Sequence, residues 1–293
     1  MSSRTALDEF AQELRRPAPE PERLALAIAQ IAYPQLESEY YLHELDQLAK
    51  SMEQQLAQSE ESTHRAHQFL RIFCKDFGFT GDREHYYHPD NSYLNVVLER
   101  RRGLPIMLCL ICVAIARRID LPIEGIGFPG HFMARFQDAD GSWLLDPFHG
   151  EVIAPDEAEA YLGRIFGMQP TLNPESYQAI AAEAWAQRIL FNLRNTYLGS
   201  RDTLTTIQVL NYMLVLMPRH PALWRERGLL HHQNQFWIDA IYDLRHSFFL
   251  FGQYALVWGN DEQRNALLAS LGAEEKRVAQ VYQQAIQEII RFN

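Results

Sequence analysis

The sequence predicts an α+β fold that is mostly helical, and three observations carry that reading. Helical periodicity fills the N-terminal region, two short extended runs joined by a turn stand in the middle, and a helical repeat occupies the C-terminal third. The expected division is an N-terminal helical region (1–85), a core with a small antiparallel sheet (86–170) and a helical repeat region (180–293). A chain of 293 residues buries enough surface to fold without disulfide or metal staples.

At the N-terminal end, Leu24, Ile28 and Ile31 recur at helical spacing, as do Leu36, Tyr40, Leu42, Leu45 and Leu48, with Pro34 breaking the pattern between them. A third stripe, Phe69, Ile72, Phe73 and Phe77, stops at Gly78. In the core, a helix is expected from Asn91 or Ser92 to Arg102, with Gly103 as its C′ residue. Pro105 suits the first position of the next helix. That helix, Ile106 to Ile119, is apolar on all sides, so it should be buried. Pro122 ends it. Ile123 to Gln137 and Ser142 to Ile153 read as extended, joined by a hairpin turn at Asp138-Ala-Asp-Gly141.

From Glu183 the helical pattern returns as a repeat. Leu190, Tyr197, Leu210 and Pro218 are followed 34 residues later by Trp224, His231, Leu244 and Gly252, and 34 is the period of tetratricopeptide repeats. Gly228 and Ala240 fall where the two helices of such a unit approach closely. The first copy has Arg194 and Thr206 there. A closing helix is expected over Glu274 to Phe292.

Charge and composition exclude several function classes. The net charge of −10 argues against direct nucleic-acid binding or an anionic membrane surface, both of which need clustered Lys and Arg. Cys74, Cys109 and Cys112 are too few and odd in number for a disulfide framework. The N-terminus lacks the apolar core of a signal peptide, and the longest apolar run, Leu104 to Ala116, is shorter than the roughly 20 residues that span a bilayer. A soluble, cytoplasmic protein is expected.

His131 and Asp146 form the strongest chemical candidate. With the turn at 138–141, strand positions summing to 277 or 279 face one another, and in both registers these two residues share a face. A carboxylate so placed fixes an imidazole's tautomer and stabilises its protonated form. The candidate nucleophile is Cys109, which lies about a turn inside an apolar helix, where burial raises a thiol's pKa. Cys112 lies a further turn in and reads as a buried structural residue. His85-Tyr-Tyr-His88 and Arg100-Arg101-Arg102 are weaker clusters, read as a surface loop and as cations favoured in a last helical turn. No Gly-rich phosphate loop, H-E-x-x-H or G-x-S-x-G occurs, and neither a cofactor nor a metal site is expected.

Four segments carry a resemblance: Asn91-Ser-Tyr-Leu-Asn95, Glu99-Arg-Arg-Arg-Gly-Leu-Pro-Ile106, Gly127-Phe-Pro-Gly-His-Phe132 and Asp146-Pro-Phe-His-Gly150. Together they resemble the SirB1 family of bacterial proteins, over about residues 35–250. The family's central domain is a divergent transglutaminase-like core, followed by tetratricopeptide-like repeats. The resemblance implies a papain-like arrangement, a buried helix on an antiparallel sheet. In active enzymes of that kind a Cys opens the helix, and His and Asp come from the next two strands. His131 and Asp146 match those positions, whereas Leu104-Pro-Ile-Met107 stands where the nucleophile belongs.

The expected function is therefore a non-catalytic interaction or regulatory protein, with a degenerate core and a protein partner held by the C-terminal repeat. The alternative is a cysteine-dependent amide hydrolase or acyl-transferase. In it Cys109 attacks, His131 acts as base then acid, and Asp146 orients His131.

Overall fold

In the computed structural model, residues 3–58, 64–139, 141–168 and 170–292 are described. They fall into two units, Met1–Thr196 and Tyr197–Asn293. The first unit opens with three helices, α1 (Ser3–Leu14), α2 (Pro21–Ala29) and α3 (Ser38–Gln58). α4 (Arg65–Arg71) runs into a single π-helical turn, Ile72–Asp76. Most of the expected apolar stripe residues face inward, with Leu24, Ile28, Leu45, Phe69, Ile72 and Phe73 fully buried. Tyr40, two residues before buried Leu42 and so on the opposite side of α3, is exposed instead, and Leu36 precedes the helix.

A short parallel pair follows, β1 (Thr80–Gly81) beside β2 (Arg102–Gly103), enclosing α5 (Leu94–Arg100). Here the structure corrects the sequence reading. Asn91 and Ser92 belong to a 3₁₀ turn, Pro89–Ser92, and α5 starts after an extended Tyr93. The helix ends at Arg101 in the left-handed conformation (φ 57), its N–H bonded to the Val97 carbonyl, so Gly103 is not the capping residue. The parallel pairing draws Arg102 and Gly103 away from the helix, and contacts of Arg101 with Glu44 (2.8 Å) and with the Phe79 ring hold its strained backbone.

α6 (Pro105–Arg118) is the expected buried helix, with Pro105 at its first turn and every residue from Pro105 to Cys112 buried. One side packs on the sheet and the other on α2 and α3. Arg117 and Arg118 at its C-terminus meet the buried carboxylate of Glu22 on α2, and Arg118 also reaches Asp46 at 2.6 Å. Those cations sit where the helix dipole favours them.

The sheet is an antiparallel meander, β3 (Ile123–Phe128), β4 (His131–Asp138), β5 (Gly141–Asp146) and β6 (Glu151–Ile153). Each extended run of the sequence is therefore two strands, folded at Pro129-Gly130 and at Pro147–Gly150. The β4–β5 hairpin pairs Ala134 with Leu145 and Asp138 with Gly141, the register in which facing positions sum to 279. α7 (Ala158–Phe166) packs Tyr161 and Leu162 into a cluster with Ile126, Phe128, Met133 and Leu144. α8 (Ala182–Gly199) carries the boundary between the units, and its Trp185 is buried against Phe132.

In the second unit the pairs α9 (Thr203–Leu216) with α10 (Pro221–Gln233), and α10 with α11 (Trp237–Leu250), pack as helical hairpins. Gly228 permits the close approach of α10 and α11: a Cβ there would lie 2.9 Å from Leu244 Cγ. Asp243, buried on α11, takes a two-pronged contact from Arg227 at 2.7 and 2.8 Å and a third from His231 at 3.0 Å. Two shorter helices, α12 (Ala255–Trp258) and α13 (Asp261–Ser270), lead to the closing helix α14 (Ala273–Phe292). Among the described residues, no helix is long and apolar enough to cross a membrane.

Candidate functional site

The site grows from the two folds that split the extended runs. Pro129 and Gly130 reverse the chain between β3 and β4, with Gly130 at φ +75, a conformation that a side chain would strain. That reversal makes His131 the first residue of β4, where the ladder to β5 has not yet begun. Asp146 is the last residue of β5, and its backbone carbonyl accepts the Gly150 N–H at 2.7 Å, closing the turn. Asp146 Oδ1 accepts the N–H groups of Phe148 (2.9 Å) and His149 (3.1 Å), so the carboxylate also fixes the turn that follows it.

The other oxygen, Oδ2, faces inward. It lies 2.6 Å from His131 Nε2 and 2.9 Å from His149 Nδ1, and it accepts the Tyr161 hydroxyl at 2.9 Å. Asp146 is fully buried and His131 nearly so, while His149 keeps about a fifth of its side chain exposed and opens the site toward solvent. The rings of Phe148 and Phe166 stand edge-on to His131 at 6.4 and 6.2 Å.

Burial opposes ionisation of Asp146, yet the bonds from His131 and His149 outweigh it and hold the carboxyl far below the usual carboxylate range. Burial, then the adjacent Asp146 charge, pushes the Tyr161 phenol up. No lysine or arginine among the described residues forms an ion pair with Asp146; its ion-pair partners are the imidazoles of His131 and His149.

Cys109 is the fifth residue of α6 and fully buried. Burial, reinforced by the Asp146 charge, raises its thiol well above the ordinary value, and Cys112 behaves alike. Among the described residues, no hydrogen bond joins either sulfur to His131. Cys74 lies in the π-helical turn, half-buried, with Sγ 3.9 Å from the Pro147 carbonyl; burial lifts its thiol to about 11. Of the weaker clusters, neither offers a charged group to Asp146 among the described residues, although Tyr86 packs edge-on against Phe148 at 5.9 Å. Arg100 is shared between Asp82 and Asp90 at 3.5 and 3.7 Å, and His85 is largely exposed.

Two members of the constellation, His149 and Tyr161, escape sequence reasoning. His149 stands in the segment Asp146-Pro-Phe-His-Gly150, where its three-residue spacing from Asp146 was the available signal. Tyr161 reaches the site only by the packing of α7. His131, Asp146 and His149 each offer one ligand-type atom, and all three atoms lie within 4.8 Å of one another.

Comparison with known proteins agrees with this architecture. Residues 39–191 match the transglutaminase-like superfamily model, and residues 193–248 match a tetratricopeptide repeat. A UPF0162 protein of Xylella fastidiosa is 32% identical, covering 75% of this chain and 80% of the relative. A UPF0162 protein of Vibrio cholerae is 28% identical over 76% of this chain and 83% of its own. Protein SirB1 of Salmonella typhimurium is 27% identical over 75% of this chain and 81% of its own. The chain thus belongs to the transglutaminase-like superfamily, as a relative of the SirB1 and UPF0162 proteins in which a tetratricopeptide repeat follows the core.

Proposed function

We propose that this protein works by binding other proteins and that its transglutaminase-like core turns over no substrate. The observation that carries the reading is the start of α6. Leu104, Pro105, Ile106 and Met107 occupy it, and none bears a thiol or hydroxyl. The first sulfhydryl in the helix, Cys109, is buried with its thiolate disfavoured, so the His131–Asp146 couple has no nucleophile to deprotonate. Helical repeats supply binding surfaces, and the second unit exposes Ile238, Tyr242, Phe249, Tyr254 and Trp258. Three unpaired cysteines suit a reducing compartment such as the cytoplasm.

The 2.6 Å contact of His131 with Asp146 is also what a cysteine hydrolase or acyl-transferase using Cys109 would require, and one experiment separates the readings. Purified protein is incubated with a glutamine-rich protein and a fluorescent primary amine, and ammonia release and amine incorporation are followed. In parallel, a photo-crosslinking residue replaces Tyr242 in cells. The expected result is covalent protein adducts, undiminished in Cys109→Ala, with no turnover of amides. Amide turnover that disappears in Cys109→Ala would establish the enzyme instead.

A further inference from the structure

We propose that His131, Asp146 and His149 form a binding site for one borderline divalent transition-metal ion of the Zn2+ class, held by two imidazoles and a carboxylate. The first support is the load on Asp146. An ionised carboxylate offers about four lone-pair sites, yet five donors converge on it, three of them on Oδ2. A single cation among Oδ2, His131 Nε2 and His149 Nδ1 replaces two of those three donors with metal–ligand bonds and relieves the crowding.

The second support is the charge. A buried carboxylate is kept only with a positive partner or a metal, and the ion-pair partners of Asp146 among the described residues are the two imidazoles, groups that can share a cation with it. The two imidazoles are borderline nitrogen ligands that favour Zn2+, Fe2+, Co2+ or Ni2+ over Ca2+ or Mg2+, which take oxygen ligands.

The three ligand atoms lie within 4.8 Å of one another, so closing on an ion takes shifts of the two rings relative to Oδ2 and to each other. Ligand atoms around a four-coordinate zinc lie roughly 3.3–3.4 Å apart. The two nitrogens now sit at 2.6 and 2.9 Å from Oδ2, hydrogen-bond distances, so each ring withdraws by about 0.4–0.8 Å as the ion enters. The turn backbone is fixed by Asp146, but the His149 side chain reaches solvent, which provides the entry route. The proton on each coordinating nitrogen leaves to solvent while the ring's other nitrogen takes one up, so both imidazoles bind as neutral ligands. With three protein ligands, a fourth position remains for water.

The test uses the full chain, stripped with EDTA and titrated with Co2+ while the visible absorption is read. One equivalent should develop a d–d band, and Zn2+ should displace it. His149→Gln and His131→Ala should each weaken Co2+ binding at least about tenfold, with folding checked by circular dichroism. His149→Gln alone decides the matter if His131→Ala fails to fold, because His149 is partly exposed. His85→Ala, at a histidine outside the cluster, should leave the titration unchanged. Absence of a one-site Co2+ signal up to millimolar metal, or a signal retained in His149→Gln, would overturn the assignment and leave the cluster as a hydrogen-bonded network only. Neither result bears on amide turnover, so this test and that of the proposed function fail separately.

Discussion

Asp243 shows how one buried carboxylate organises the second unit. It is 1% exposed and bound by Arg227 through two parallel bonds and by His231. Burial raises its pKa, and the Arg227 and His231 contacts more than offset that, so the group sits below the ordinary carboxylate value. A depressed folded-state pKa stabilises the fold above the unfolded value, near 3.9, and that contribution drains away as pH falls through the folded value. Denaturant unfolding of the wild type at pH 6 and pH 3 should therefore show a loss of stability at pH 3 that is smaller in Asp243→Asn. At pH 6 the same substitution should cost about 3–5 kcal/mol, because it leaves the partly buried Arg227 guanidinium without its counter-charge, with Asn211 and the Trp224 ring still in contact. An unchanged pH dependence would mean that the pair contributes nothing.

At the scale of elements, the helix hairpin of α10 and α11 makes the sharpest prediction. With only 2.9 Å between a Cβ at 228 and Leu244 Cγ, Gly228→Val should cost about 1–3 kcal/mol by overpacking, read from thermal unfolding. The 34-residue spacing and the small residues Gly228 and Ala240 made this hairpin legible in sequence, as the uniform apolarity of residues 104–116 did for α6. The turn at 138–141 gave the hairpin register to within two choices, and ladder pairing selects one. What stayed illegible depends on partners distant in sequence. Arg101 adopts a left-handed conformation because β2 pairs with β1 and because Glu44 and Phe79 receive its side chain. The π-helical turn at 72–76 lies inside an unbroken helical stripe, and periodicity cannot separate one extra residue per turn. Within the site, His131 and Asp146 followed from strand alternation, whereas Tyr161 arrives through α7, which no local pattern connects to β5.

Across the whole molecule, the proposed reading rests on the start of α6, where Leu104, Pro105, Ile106 and Met107 carry no thiol or hydroxyl, while the charge of −10 bears on nucleic acid. Duplex DNA should show no mobility shift at physiological salt, since a chain this acidic gains little from counterion release. Sequence-independent binding that survives high salt would contradict that electrostatic argument. The proposed reading requires that no thiol in the core be poised beside His131, and alkylation by iodoacetamide at neutral pH, followed residue by residue with mass spectrometry, measures this. Cys109 should stay unmodified in the native protein and react only after unfolding, with the same result in His131→Ala. Rapid native-state alkylation of Cys109 that vanishes in His131→Ala would instead show a working thiol–imidazole pair and a catalytic core.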